Sequence, residues 1–160
     1  MVGLSLVSME LKIDLHSHSI LSHDGGVSLS EYEQLLKKSV VDYVAITDHN
    51  AIEFALEARE KLGEKIIVGE EISSGEGDII GLYLNSKIDR DLGAAKTVEL
   101  IHSQGGLVYI PHPFEKVRKG LGEEVLNNIK NEIDILEVFN GRALFAFHNK
   151  QSMKYAQENN

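Results

Sequence analysis

Short apolar runs alternate with segments of helical periodicity along almost the whole chain. Leu11 to His16 is a compact run of strand type, followed by a loop rich in Gly and Ser. Ser28, with Glu31 three residues on, forms a capping box that opens a helix with Tyr32, Leu35 and Leu36 on its apolar face. Val41 to Thr47 predicts a second strand. Ile52, Ala55, Leu56 and Leu62 mark the next helix, closed at Gly63, and Ile66-Ile67-Val68 a third strand. Asp78 to Leu84 predicts a fourth strand, Ala94, Ala95, Val98 and Ile101 a helix closed by Gly105-Gly106, and Leu107 to Ile110 a fifth strand. A short helix around Val125, Leu126 and Ile129 leads to a strand from Ile133 to Phe139, and a final helix runs from Leu144 to about Gln157. Alternation of this kind, with no Pro/Ser linker and no repeat, reads as successive βα units in one α/β domain over residues 1–160. Residues 1–9 precede the first strand and read as a non-core extension, with Met9 an alternative start.

Composition narrows the chemistry. The chain has no cysteine, which excludes disulfides and thiolate metal sites and leaves imidazole and carboxylate as the available ligands. Such a set suits Zn, Mn or Fe. A formal charge of −9 argues against a broad face for duplex nucleic acid, although bound divalent cations would reverse the sign locally at a carboxylate-rich mouth. Val2 to Val7 lacks the basic start and the length of a signal peptide, and no later stretch is long enough to span a bilayer. The expectation is a cytoplasmic protein with no membrane partner.

Potential metal ligands sit where the apolar runs stop: Asp14-Leu15-His16-Ser17-His18, Thr47-Asp48-His49-Asn50 and Pro111-His112-Pro113. A lone His-x-His is a weak signal, since two polar residues on a wet strand face give the same pattern. Recurrence strengthens it, because barrels and open α/β sheets gather their ligands at the carboxyl ends of strands. Side chains alternate along a strand, so His16 and His18 point the same way. Asp14, Asp48 and Glu71 lie beside these positions, and Asp24 and Asp78 lie in adjoining loops or strand starts. Asp14 and Asp48 alternatively orient the imidazoles, the usual role of an acid next to a metal-bound histidine. His102 and His148 fall within helices, and the helix dipole accounts for His102 near a carboxyl end.

Several segments in order resemble the PHP (polymerase and histidinol phosphatase) domain of metal-dependent phosphoesterases. They are Asp-Leu-His-Ser-His at 14–18, Ser22-His23-Asp24-Gly25, Ala45-Ile46-Thr47-Asp48-His49-Asn50, Gly69-Glu70-Glu71-Ile72-Ser73, Gly105-Gly106-Leu107 through His112-Pro113-Phe114, and Glu137-Val138-Phe139-Asn140-Gly141-Arg142. The resemblance implies a distorted (β/α)7 TIM-like barrel whose mouth holds two or three Zn, Mn or Fe ions, with His16, His18, His49, Glu71 and His112 as ligands. Where many relatives read Ser-Asp-Gly, this chain has Ser22-His23-Asp24-Gly25, so the loop ligand is His23, or Asp24 if the loop shifts. Asp78 looks like a substitute for the histidine that many relatives carry after Glu71, with strand-entry capping as its other role. The family's later Asp-x-His has no match before Asn160, so the resemblance also implies a barrel short of its C-terminal closing units, with an open sheet edge prone to self-association.

The implied reaction is hydrolysis of a small phosphorylated substrate, such as a nucleotide or sugar phosphate, by a metal-activated water. Asp48 and Arg142 are the candidate catalytic residues, and Arg142, with a lesser part for Arg118, is the candidate phosphate grip. A metal-binding but inactive module is the main rival. An amidohydrolase-type C–N hydrolase is a weaker one, since such barrels bridge their metals with a lysine where this chain offers Glu71.

Overall fold

A computed structural model describes residues 10–143 and 145–159. The proposed extension at 1–9 lies outside the described residues. Six strands carry the architecture: β1 Ile13–Ser17, β2 Tyr43–Ile46, β3 Ile66–Ser74, β4 Gly77–Leu82, β5 Leu107–Ile110 and β6 Ile135–Leu136. They form one sheet in sequential order, β1-β2-β3-β4-β5-β6. Helices α1 Leu29–Lys37, α2 Glu53–Leu62, α3 Ala94–Ser103, α4 Gly122–Ile129 and α5 Ala146–Asn159 are interspersed. The capping box read at Ser28 and Glu31 is present at the start of α1, and α2 stops at Gly63, whose φ of 79° suits glycine.

Two apolar layers follow from strand alternation. Val44, Ile46, Ile66, Val68, Ile72, Ile79, Val108 and Ile110 belong to the cluster packed with helix residues such as Tyr32, Ala58, Val98 and Leu126. Ala45, Ile67, Ile80, Leu82 and Tyr109, the intervening residues, form a second cluster on the concave face. Glu71 shares the concave parity of Ile67 on β3, and Glu70 the helix-facing parity of Val68. β1 departs from simple alternation because its register with β2 shifts between Asp14 and Ser17.

Three expectations are corrected. The chain is not a plain succession of βα units: β3 and β4 form an antiparallel hairpin, and β4 also runs antiparallel to β5, while β1-β2, β2-β3 and β5-β6 are parallel. The reason is the tight link, in which Ser74 pairs Gly77 across Gly75-Glu76, too short for a crossover. Second, β3 continues to Ser74, well past Val68, because both of its charged residues find partners, Glu71 within the mouth and Glu70 at the Ile88 amide on the helix-facing side. Third, the strand expected from Ile133 to Phe139 pairs only at Ile135–Leu136. Asn140 turns the chain away, its Oδ1 accepting from Arg142 N at 2.8 Å while its own N donates to Asn149 Oδ1 of α5 at 3.1 Å. Leu144, where the last helix was expected to begin, lies outside the described residues.

The sheet curls into a half-barrel. β1 and β6, its two ends, share no ladder among the described residues, yet Nδ1 of His16 comes within 3.3 Å of Oε1 of Glu137, just beyond β6. No helix among the described residues is long and apolar enough to cross a membrane.

Candidate metal centre

Glu71 is the hub. Its Oε2 lies 3.3 Å from His16 Nε2, 3.1 Å from His18 Nε2 and 3.5 Å from His49 Nδ1, and its Oε1 lies 3.1 Å from His112 Nε2. The four partners arrive from the carboxyl ends of three strands: His16 in β1 and His18 just past it, His49 from just after β2, and His112 from just after β5. A bridge between His49 and Glu71 fixes the loop after β2 against β3. Asn50 reinforces it, with its N donating to Glu71 O at 2.9 Å and its Oδ1 accepting from Ser73 N at 2.9 Å.

Three groups of side chains each bring their ligand atoms within 4.8 Å of one another: His16, Glu71 and His112; His18, His49 and Glu71; and His23, Asp24 and His49. The structure brings both loop candidates to the same place. Asp24 Oδ1 lies 3.3 Å from His49 Nε2, and the His23 ring tilts over His49 with centroids 5.0 Å apart. Asp78 belongs to none of the three groups but lines the same cavity as Glu71 and His112.

Electrostatics at the hub are dominated by pairing. Burial would push the Glu71 carboxyl up, but hydrogen bonds from His112, His16 and His18 hold it well below the usual carboxylate range. Burial would depress His16, but Glu137 and Glu71, one at each ring nitrogen, raise it to about 9. His49 is lowered, chiefly by burial. Asp78 is raised by burial and then by the neighbouring Glu71 charge.

This donor set fits divalent metal. His16 Nε2 and His18 Nε2 are only 3.1 Å apart and converge on one carboxylate oxygen, the arrangement in which a cation replaces shared protons. His112 Nδ1 and Asp78 Oδ1 are buried with no hydrogen-bond partner among the described residues. His112 also adopts φ 31°, uncommon outside glycine and typical of the strain stored at functional positions.

The remaining candidates occupy distinct places. Asp48 lies behind the cluster, accepting from Ser19 N at 2.8 Å, Ser19 Oγ at 2.6 Å and Ser22 Oγ at 2.6 Å. It reaches His18 only through Ser22, whose Oγ is 3.4 Å from His18 Nδ1. Arg142 is largely exposed, 3.5 Å from Asp24 Oδ2. Arg118 borders the cavity that contains Glu71, Asp78 and His112. His102 is removed from the cluster, bonded to Asp134 Oδ2 at 3.1 Å.

Sequence reasoning placed Glu137 in a family-like segment but gave it no role in the site. Its Oε1 faces His16 Nδ1 at 3.3 Å and accepts from Tyr109 OH at 2.9 Å; its Oε2 accepts from His112 N at 2.7 Å and Asn140 Nδ2 at 2.9 Å. The available signal was a carboxylate at a strand's carboxyl end, the same signal that marked the histidines.

The pattern of the PHP domain matches residues 14–145. This chain belongs to the PHP domain family. An uncharacterized protein of Methanocaldococcus jannaschii is 37% identical over 143 residues, covering 81% of the PHP chain and 82% of its own length. A second uncharacterized protein of that organism is 33% identical over 153 residues, covering 92% of this chain but only 60% of its own length. The fold is also similar, with a TM-score of 0.70 at 19% identity, to a two-domain protein from Bacteroides vulgatus described as containing a predicted PHP-like metal-dependent phosphoesterase. That likeness covers 93% of the PHP chain and 49% of the crystallised one.

Proposed function

We propose that this PHP chain is a metal-dependent phosphoesterase that hydrolyses a small phosphate ester with an activated water. The observation that carries the reading is the sharing of one buried carboxylate, Glu71, among histidines from three strands, with one oxygen facing His16, His18 and His49 and the other His112. His16, Glu71 and His112 would hold one ion, His18, His49 and Glu71 another, and His23, Asp24 and His49 a third, with Asp78 on the wall of the same cavity as a further carboxylate ligand. Imidazole and carboxylate ligands suit Zn, Mn or Fe. Bound divalent metal supplies a water of lowered pKa and a positive clamp for phosphoryl oxygens.

The chain's own residues do the rest. Glu137 holds the His16 ring with Nε2 toward Glu71, and Asp48 acts through Ser22 on His18, so each imidazole presents a defined nitrogen. Arg142 and Arg118 offer guanidinium groups to phosphate oxygens. The six-stranded half-barrel is read as part of a (β/α)7 barrel. A carboxylate rather than a lysine at the shared position favours phosphoester over C–N hydrolysis. One observation favours the second reading, a metal-binding module without turnover: the seam between β1 and β6 leaves the His16 side of the cluster open.

Elemental analysis of the purified chain, with a phosphoester panel in added Mn or Zn, tests the proposal. Stoichiometric metal with hydrolysis is expected. Metal without hydrolysis of any ester selects the inactive module, and absence of metal removes both.

A further inference from the structure

Among the described residues, thirteen large apolar side chains stand exposed, and seven of them fall in two patches of opposite charge. Phe139, Phe145, Phe147 and Met153 form the first, between the end of β6 and the middle of α5. Phe145 and Phe147 stack with ring centroids 5.8 Å apart, and α5 turns Phe147 and Met153 to solvent while burying Ser152 and Tyr155. An amphipathic helix normally keeps such side chains on its covered face. A groove of about 340 Å3 runs between Phe139 and Met153, with Lys150 and Lys154 on its border. From Val138 to Gln157 the chain carries Arg142, Lys150 and Lys154 and no Asp or Glu, although its formal charge is −9.

Ile20, Leu21 and Leu56 form the second patch. Ile20 and Leu21, both more than half exposed, belong to the loop after β1 and line a groove of about 620 Å3 together with Leu29 and Phe54. Its charged border is Glu53 and Glu57 of α2, and among the described residues no Lys or Arg lines it. Leu56 lies one turn along α2 from Glu53. Glu57 is paired with Lys61, and Lys154 with Glu158 at 3.6 Å, but these are exposed pairs within single helices, which contribute little and exchange readily for a partner across an interface. The two patches are neighbours: Arg142, shortly before Phe145, has Nη1 3.5 Å from Oδ2 of Asp24, shortly after Leu21.

We propose that the chain pairs with a second copy of itself, the lysine-bordered face of α5 on one copy seating on the glutamate-bordered groove between the 18–30 loop and α2 of the other. Contiguous exposed apolar groups with a polar rim are the usual mark of a protein contact, and here the rims are complementary in sign. An acidic peptide or a nucleic acid would suit the α5 face alone and be repelled by Glu53 and Glu57. The chain itself carries the complement of both. Because the patches adjoin, a twofold axis beside them lets each copy offer its lysines to the other's glutamates, so the contact is made twice and closes as a dimer. Burial of the phenylalanines, Met153 and the two β1-loop side chains supplies the attraction, and the charges fix the orientation.

Sedimentation of the purified full chain over a dilution series reads the association. The natural chain should dimerise and dissociate on dilution. Lys150→Glu with Lys154→Glu should raise the dissociation constant about tenfold or more, and so should Glu53→Lys with Glu57→Lys, since each places like charges opposite one another. All four substitutions together restore opposite signs and should recover most of the lost affinity. Phe147→Ser, at an exposed position, should weaken the dimer without a change of charge. Circular dichroism of every variant verifies folding. A chain that stays monomeric at every concentration overturns the proposal, as does growth beyond a dimer. A dimer indifferent to both charge reversals is held elsewhere, for instance by an open sheet edge, and overturns it too. Two reversals that each weaken the dimer but fail to rescue one another would show that the patches do not meet.

Discussion

His16 is held between two carboxylates, with Nδ1 3.3 Å from Glu137 Oε1 and Nε2 3.3 Å from Glu71 Oε2. Glu71 belongs to the hub, while Glu137 stands behind the ring and also ties down Tyr109, the His112 amide and Asn140. Glu137→Ala frees the ring to rotate and loosens the His112 loop. Metal affinity should then fall about 10–100-fold, the usual cost of losing such an orienting partner. Glu137→Gln, which keeps an acceptor for His112 N, should lose less. Titration against a chromophoric chelator, beside a circular-dichroism spectrum to verify folding, measures this, and undiminished affinity in a folded Glu137→Ala protein would dismiss the role.

The same pairing sets a pH dependence. Its neighbouring carboxylates raise His16 from 6.5 to about 9 despite burial, so the stability it lends the metal-free fold is complete below pH 6.5 and disappears as pH climbs through 9. The loss amounts to about 3 kcal/mol at most, from roughly 1.4 kcal/mol per pKa unit. Glu137 is the opposite case: burial notwithstanding, His16 and Asn140 lower it from 4.5 to about 2, and its contribution, present above 4.5, is lost as pH falls through 2. Because metal displaces the His16 proton, apparent metal affinity should rise from pH 7 to 9, by at most about tenfold per pH unit. Melting temperatures of the metal-free chain should decline over that interval while those of the loaded chain stay level. Parallel curves would show that the metal does not engage His16.

Removing both β1 histidines should remove the metal. His16→Ala with His18→Ala deletes the two nitrogens nearest Glu71 Oε2 and leaves that buried carboxylate with His49 alone on that oxygen. Elemental analysis should find the double variant depleted, and its melting temperature should no longer respond to added Mn or Zn, since ligand binding to the native state is what raises it. Retention of full metal content would place the ion elsewhere.

Much of this site was legible because its logic is local. The apolar runs stop where His16, His49 and His112 begin, and the capping box at Ser28 is a short-range pattern that forms as read. What escaped depends on distant partners. Glu70 and Glu71 break the apolar run after Val68, so β3 reads as short; it stays a strand because Glu71 finds four histidines and Glu70 the Ile88 amide. Strand sense was hidden as well, since only the pairing of Ser74 with Gly77 shows that β4 turns back. Glu137 was legible only as the first residue of a family-like segment, and its hold on His16 emerges only once β1 and β6 face each other.

Glu70 offers a last test, on the opposite face of β3 from the hub. It is fully buried, its Oε2 accepts from Ile88 N at 2.9 Å, and its Oε1 has no partner among the described residues. Burial, the dominant cause, lifts it from 4.5 to about 7 against the lowering effect of the Ile88 amide. A carboxyl raised in this way is harmless while protonated: its share of stability is intact below pH 4.5 and is lost as pH rises through 7, because the folded state must then bury a charge. Glu70→Gln preserves the shape and the acceptor for Ile88 but cannot ionise. Between pH 5 and 8 the natural chain should therefore lose up to about 3 kcal/mol relative to the variant, at roughly 1.4 kcal/mol per pKa unit. Urea denaturation of both chains across that interval measures the difference directly; a gap that does not change with pH would mean that Glu70 titrates as an ordinary solvated carboxyl, and that water reaches the helix-facing side of β3.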